Sequence, residues 1–118
     1  MSFLRRRLAA LRARPIGDLE KLPHGARVAV AGLVINRQRP ATASGVLFMT
    51  LEDETGHANL VVWRREQEKH RLAVLGGRLL LVKGKVERDG AVVHLLAERI
   101  DDLTELVKRV PTTSRDFH

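Results

Sequence analysis

The residues best equipped for chemistry are the acidic run Glu52-Asp53-Glu54, five histidines and three serines. On a strand, alternate side chains point to opposite faces, so Glu52 and Glu54 share one face and Asp53 takes the other. Three carboxylates placed that way do not converge on one cation. An acidic strand end running into Thr55-Gly56 is the composition of a turn in which Asp53 or Thr55 bonds turn backbone. His24, His57, His70, His94 and His118 show neither HxxxH nor HxH spacing, and the chain has no cysteine. Those are the spacings and ligands a zinc site needs. Ser2, Ser44 and Ser114 lack a nucleophile elbow. Gly76-Gly77 and Gly84-Lys85 lack the GxxxxGK[ST] spacing of a phosphate loop. The reading is therefore no catalytic residue, no metal, no cofactor, and no enzymatic activity for this chain.

The chemistry left is binding. The stretch Val46 to Trp63 is two runs of β-branched and large apolar residues around an acidic, glycine-ending turn, which is a hairpin signal. In the first run Leu47, Met49 and Leu51 fall on one face, and Phe48, Thr50 and Glu52 on the other. In the second, Ala58, Leu60 and Val62 oppose His57, Asn59, Val61 and Trp63. One face is plain core. The other mixes aromatic, hydroxyl, amide and apolar groups, a composition suited to stacking bases. Trp63, at the strand end, is also placed where an indole can cap a core.

Charge favours the same reading. The net charge is +7, and 16 of the 21 cations are Arg. The excess lies in residues 1–27, at +5, and in residues 64–118, at +3, with 28–63 at −1. A pI of about 11 is the electrostatic footprint of a polyanion binder; an arginine preference at solvated positions gives the same number. With 44% hydrophobic and 30% charged residues over 118, the chain has the makeup of one globular domain. No apolar run is long enough to span a bilayer, so no membrane partner is expected, and the lack of cysteine fits a reducing cytoplasm.

The elements that must position these residues follow in order. Ser2 caps a basic amphipathic helix with Leu4, Leu8 and Leu11 on one stripe among Arg5, Arg6, Arg7, Arg12 and Arg14, ended by Pro15. Ile16 to Pro23 reads as a short helical turn with Ile16, Leu19 and Leu22 inward. Strands are expected over 27–39, over both arms of 46–63, over 78–87 and over 91–100, with one helix over 64–75 ended by Gly76-Gly77. Asp89-Gly90 is a hairpin turn. Glycines in the middle of the first and fourth strands, Gly32 and Gly84, let them bend. The order β-β-β-α-β-β predicts an all-β fold: a five-stranded OB-fold Greek-key barrel with one helix between strands three and four and a short basic helical lead-in. The expected organisation is a lead-in over 1–24, the barrel over 25–103 and a tail over 104–118.

In that barrel a ligand crosses strands two and three, between the loops joining strands one to two and four to five. Arg37 and Arg39 stand at the first loop, Arg88 at the second, and Phe48, Thr50, Asn59 and Trp63 on the face. Lys83 and Lys85 alternate with Val82, Gly84 and Val86 on strand four. Cations beside exposed aromatics hold single-stranded nucleic acid by phosphates and base faces. With four Phe and Trp residues in the whole chain, about two bases can stack on this face.

Three pieces carry a family resemblance: Val28-Ala29-Val30-Ala31-Gly32-Leu33-Val34 leading to Arg37-Gln38-Arg39-Pro40; the hairpin from Phe48 to Trp63; and the terminal Ser114-Arg115-Asp116-Phe117-His118. Together they resemble the C-terminal region of the bacterial C-family DNA polymerases, relatives of the polymerase III alpha subunit. The Arg37-Gln38-Arg39-Pro40 and terminal pieces are most similar to the error-prone, damage-inducible branch. The hairpin alone also resembles the anticodon-binding OB domain of class II lysyl-, aspartyl- and asparaginyl-tRNA synthetases. The resemblance implies a single-stranded-DNA-binding module of a translesion polymerase, in the cytoplasm, without the palm, fingers and PHP regions in which the family's catalysis resides. It also implies an alternative: a domain whose barrel face, tail around Phe117 or leucine stripe docks other subunits of a mutagenic polymerase assembly. A tRNA-anticodon-binding role is the weaker expectation.

Overall fold

The computed structural model describes residues 12–39 and 45–105. The helix expected after Ser2, most of the first loop and the Ser114-to-His118 tail lie outside the described residues. A 3-10 helix, Ile16–Lys21, leads into β1 (Arg27–Gln38), β2 (Leu47–Asp53) and β3 (Gly56–Val62). Two short helices follow, α1 (Arg64–Lys69) and α2 (Arg71–Gly76), then β4 (Leu79–Asp89) and β5 (Val92–Asp102). The strands close a barrel in the order β1-β2-β3-β5-β4. The contact of β3 with β5 is parallel; the other neighbours are antiparallel. This is the OB-fold expected from the order of elements.

Closure depends on β1 serving two partners. Its first half pairs with β4 from Arg27 to Leu33, and its second half pairs with β2 from Leu33 to Gln38. The hand-over falls at Leu33, and at the adjoining Gly32 a Cβ would lie 2.8 Å from the Glu52 carbonyl oxygen and 3.0 Å from Ile16 Cδ1. Only glycine lets the strands cross that closely. At Gly84 a Cβ would overlap the Leu96 carbonyl oxygen, beside a register shift between Lys83 and Gly84. Both central glycines thus sit where the barrel turns.

Alternation sorts the hairpin as the apolar pattern dictates. Leu47, Met49, Leu51, Ala58, Leu60 and Val62 enter one core cluster with Val30, Val82, Val86, Leu95 and Ile100. The 3-10 helix plugs one end with Ile16, 1% exposed, and Leu19. Burying a side chain such as Ile16 fully contributes about 1.5–3 kcal/mol. Arg14 bridges Val30 alongside β1, its N–H donating to the Ala29 carbonyl at 2.8 Å, and Ala13 joins Ala31 and Leu81 in a second, small cluster. Residues 13–22 are therefore built into the barrel.

The acidic turn does structural work. Asp53 Oδ1 accepts from the Thr55 N–H at 2.7 Å, the Thr55 hydroxyl at 2.6 Å and the Gly56 N–H at 3.1 Å. Its Oδ2 accepts the Ile16 N–H at 2.9 Å, and the Thr55 hydroxyl accepts the Gly17 N–H at 2.7 Å. The turn thus ties the 3-10 helix to the hairpin. Among the described residues no three His, Cys, Asp or Glu side chains come together as metal ligands.

The single helix expected over 64–75 is corrected to two. His70 leaves helical geometry, at φ −120° and ψ 39°. The two pieces have separate anchors: α1 buries only Gln67, whereas α2 buries Ala73 and Val74. A run of charges with high helix propensity does not reveal such a break, because the anchors lie on the barrel.

Candidate nucleic-acid interface

The outer face of β2 and β3 is assembled pair by pair. Phe48 lies opposite Val61, Thr50 opposite Asn59 and Glu52 opposite His57, with Glu52 and His57 in a 3.1 Å ion-pair geometry. Phe48 is 40% exposed and Trp63, just past the end of β3, 47%. Each of these large side chains is thus partly open to solvent. Trp63 does not cap the core; it precedes α1 with an extended backbone, φ −72° and ψ 158°.

Register extends this face around the barrel. Gln38 on β1 pairs with Phe48, Phe48 with Val61, Val61 with Leu96 on β5, and Leu96 with Lys85 on β4. One belt therefore runs from an amide through an aromatic and two half-buried aliphatic residues to a cation. Leu96 is a member that sequence reading missed. It arrives through the parallel β3–β5 contact, for which no local pattern gives a signal. Lys83 sits elsewhere: its partners are Ala29 on β1 and Arg99 on β5, away from β2 and β3.

Two of the arginines named from sequence are occupied by backbone. Arg37 donates from Nε to the Val74 carbonyl at 2.6 Å and from its terminal nitrogen to the Gly77 carbonyl at 2.5 Å. It satisfies carbonyls left open at the end of α2, a favourable place for a cation. Arg88 donates from Nε to the Leu22 carbonyl at 2.7 Å and from its terminal nitrogen to the Glu20 and Leu19 carbonyls, closing the end of the 3-10 helix. Arg39 has no such partner among the described residues and is exposed at the end of β1.

The face ends in a concavity on one side. A groove of about 590 Å³ lies between the 3-10 helix, the start of β3 and the β4–β5 turn, lined by His57, Asn59, Arg88, Val92 and Val93 among others. Asn59 and Arg88 both line it. At the other end, Gln67, 8% exposed, donates from Nε2 to the Gly45 carbonyl at 2.6 Å and the Val62 carbonyl at 2.8 Å. It fastens the close of the first loop beside Trp63. Gln67 was hidden in sequence among charged neighbours, and only its burial singles it out. The arrangement presents two open rings, a Thr–Asn pair and cations at the rim, on a rigid curved sheet.

A family model described as OB-fold nucleic acid binding domain matches residues 28–103. The chain is 52% identical over 118 residues to an error-prone DNA polymerase of Pseudomonas fluorescens (strain Pf0-1), covering 100% of this chain and 12% of that protein. It is 51% identical over 118 residues to the error-prone DNA polymerase of Azoarcus sp. (strain BH72), covering 100% of this chain and 11% of the relative. The chain thus spans a small fraction of the length of these relatives, and the similarity agrees with the resemblance carried by its motifs. Among solved structures, asparaginyl-tRNA synthetase from Pyrococcus horikoshii complexed with asparaginyl-adenylate superposes with a TM-score of 0.65 at 21% identity, covering 77% of this chain and 22% of that one. OBody AM3L15 bound to hen egg-white lysozyme gives 0.61 at 20% identity, covering 78% and 94%. These two likenesses speak to the fold.

Proposed function

The chain belongs to the family of OB-fold nucleic acid binding domains, and from that premise we propose that it holds single-stranded DNA for an error-prone DNA polymerase in replication past damage, in the cytoplasm. The observation that carries this reading is the outward placement of Phe48 and Trp63 on one hairpin face, 40% and 47% exposed, with the Thr50–Asn59 pair on the same face. A large ring held half-open on a strand costs hydrophobic burial and gains a stacking platform worth about 1–3 kcal/mol per base. Thr50 and Asn59 supply donors and acceptors for base edges or sugars, and Lys85 and Arg39 supply charge for phosphates. In this role the module binds and positions a strand; the nucleotidyl transfer belongs to other parts of such a polymerase.

The test is fluorescence anisotropy of labelled oligo-dT at low salt. Binding in the micromolar range is expected, with Phe48→Ala and Trp63→Ala each weakening it by about 1–3 kcal/mol at a temperature where both variants remain folded. Absence of binding at low salt, or full affinity in the Phe48→Ala/Trp63→Ala double variant, sinks the proposal. An RNA of matching sequence run in parallel tests the anticodon-type alternative: tighter binding to RNA promotes it.

A docking role is the second reading. It is favoured by Leu72, 86% exposed, and Leu75, 55% exposed, on α2. The occupant under this reading is the larger part of an error-prone polymerase. Capture of that part, expressed separately, should then survive high salt and be lost with Leu72→Asp.

A further inference from the structure

We propose that the groove between the end of β1 and the α1–α2 pair, lined by Arg39, Arg64 and Arg71, is a phosphate site gripping the backbone of a nucleic-acid strand that leaves the β2–β3 face past Trp63. For its ligand this rests on the nucleic-acid reading above.

The groove has a volume of about 320 Å³ and contains three arginines against one carboxylate, Glu68, with Val74 and Leu75 as its apolar part. These three arginines share one concavity and do no internal work among the described residues. Arg14, Arg27 and Arg99 are ion-paired with Asp18, Glu98 and Asp101. Arg37 and Arg88 are spent on backbone carbonyls. Arg39, Arg64 and Arg71 have neither an ion pair nor a side-chain hydrogen bond among the described residues, and all three are exposed. Like charges gathered in one concavity repel, by about 1 kcal/mol at 4 Å even in water. A phosphodiester oxygen reverses the sign of that interaction, and the planar guanidinium fork matches it with paired N–H donors.

The walls are fixed before any ligand arrives. α1 is held to Gly45 and Val62 by Gln67. α2 is held to β1 by Arg37 on Val74 and Gly77. Arg64 follows Trp63 directly in the chain, so a base stacked on the indole delivers its neighbouring phosphate toward the groove. The Arg64 guanidinium also lies against Gly45, with Nε 2.8 Å from where a Cβ there would be. A bulkier residue at the close of the first loop would displace it.

The experiment uses the 118-residue chain and its Arg64→Gln/Arg71→Gln variant. The probes are oligo-dT of about 4 and about 12 nucleotides, spanning OB-fold site sizes, and inorganic pyrophosphate. Both substituted positions are exposed, and unchanged amide NMR signals at the core residues Leu60 and Leu95 show that the variant keeps its fold. The short oligonucleotide is expected to bind both proteins alike. The long one is expected to bind the variant about tenfold more weakly at ~0.1 M salt, with a salt slope smaller by about 1.4 for two lost contacts on a single strand. Pyrophosphate should move the Nε–H signals of Arg39, Arg64 and Arg71. If the long oligonucleotide binds both proteins with equal affinity and slope, the groove is overturned while the face with Phe48 and Trp63 stands. If no oligonucleotide binds but pyrophosphate moves the three signals, the phosphate site stands and the single-strand reading falls. If neither probe binds, both fall.

Discussion

Arg37, on β1, and Arg39, just past its end, do different jobs. The first has its guanidinium on the carbonyls of Val74 and Gly77; the second faces the groove beside Arg64 and Arg71. Hydrogen bonds from a charged donor are worth about 1.5–3 kcal/mol. Arg37→Ala should therefore lower the unfolding free energy by about that amount, read as a fall in the urea midpoint at unchanged slope. Arg39→Ala should leave the midpoint in place and reduce the salt slope of oligo-dT binding by about 0.7, one contact. The reverse pattern would exchange their roles. The identity of both residues was plain from the sequence; their division of labour was not, since each guanidinium is assigned by partners that fold in from a distant part of the chain.

Among the elements, the hairpin was the most legible. Strict alternation over Leu47–Asp53 and Gly56–Val62 sorts every side chain to one face, and the structure pairs them accordingly. The helical connection was the least legible, because α1 is tied to the barrel by one glutamine and α2 by Ala73, Val74 and Arg37. β4 shows how a single atom sets an element's path. At Gly84 an added Cβ overlaps the Leu96 carbonyl oxygen, which is backbone and cannot step aside. Gly84→Ala should cost about 1–3 kcal/mol as overpacking and shift the amide signals of Leu96 and Ala97 in an NMR spectrum. A variant with wild-type stability and unmoved signals would show that the barrel corner adapts freely.

The whole molecule decides which charges a polyanion meets. The count of 21 Lys and Arg overstates the binding field, since Arg14, Arg27 and Arg99 are paired with neighbouring carboxylates and Lys83 lies off the β2–β3 face. Among the described residues, the cations without an ion-pair partner that border the path past Phe48 and Trp63 are Lys85, Arg39, Arg64 and Arg71. Four phosphate contacts on a single strand give a log–log salt slope of about −2.8. A titration of oligo-dT affinity against salt checks this, and a slope near zero would mean that binding is not electrostatic.

The sequence by itself determined the barrel, the two faces of the hairpin, the glycines at its corners and the turn role of the acidic run. Each of those is written in local rules: period-two alternation, turn chemistry and the space a Cβ needs. The tertiary structure alone decided which arginines remain open to a ligand, because a guanidinium is taken up or left free by carbonyls and carboxylates remote in sequence. It alone set Leu96 and Lys85 beside Val61 and Phe48, because a parallel strand contact aligns segments that share no turn.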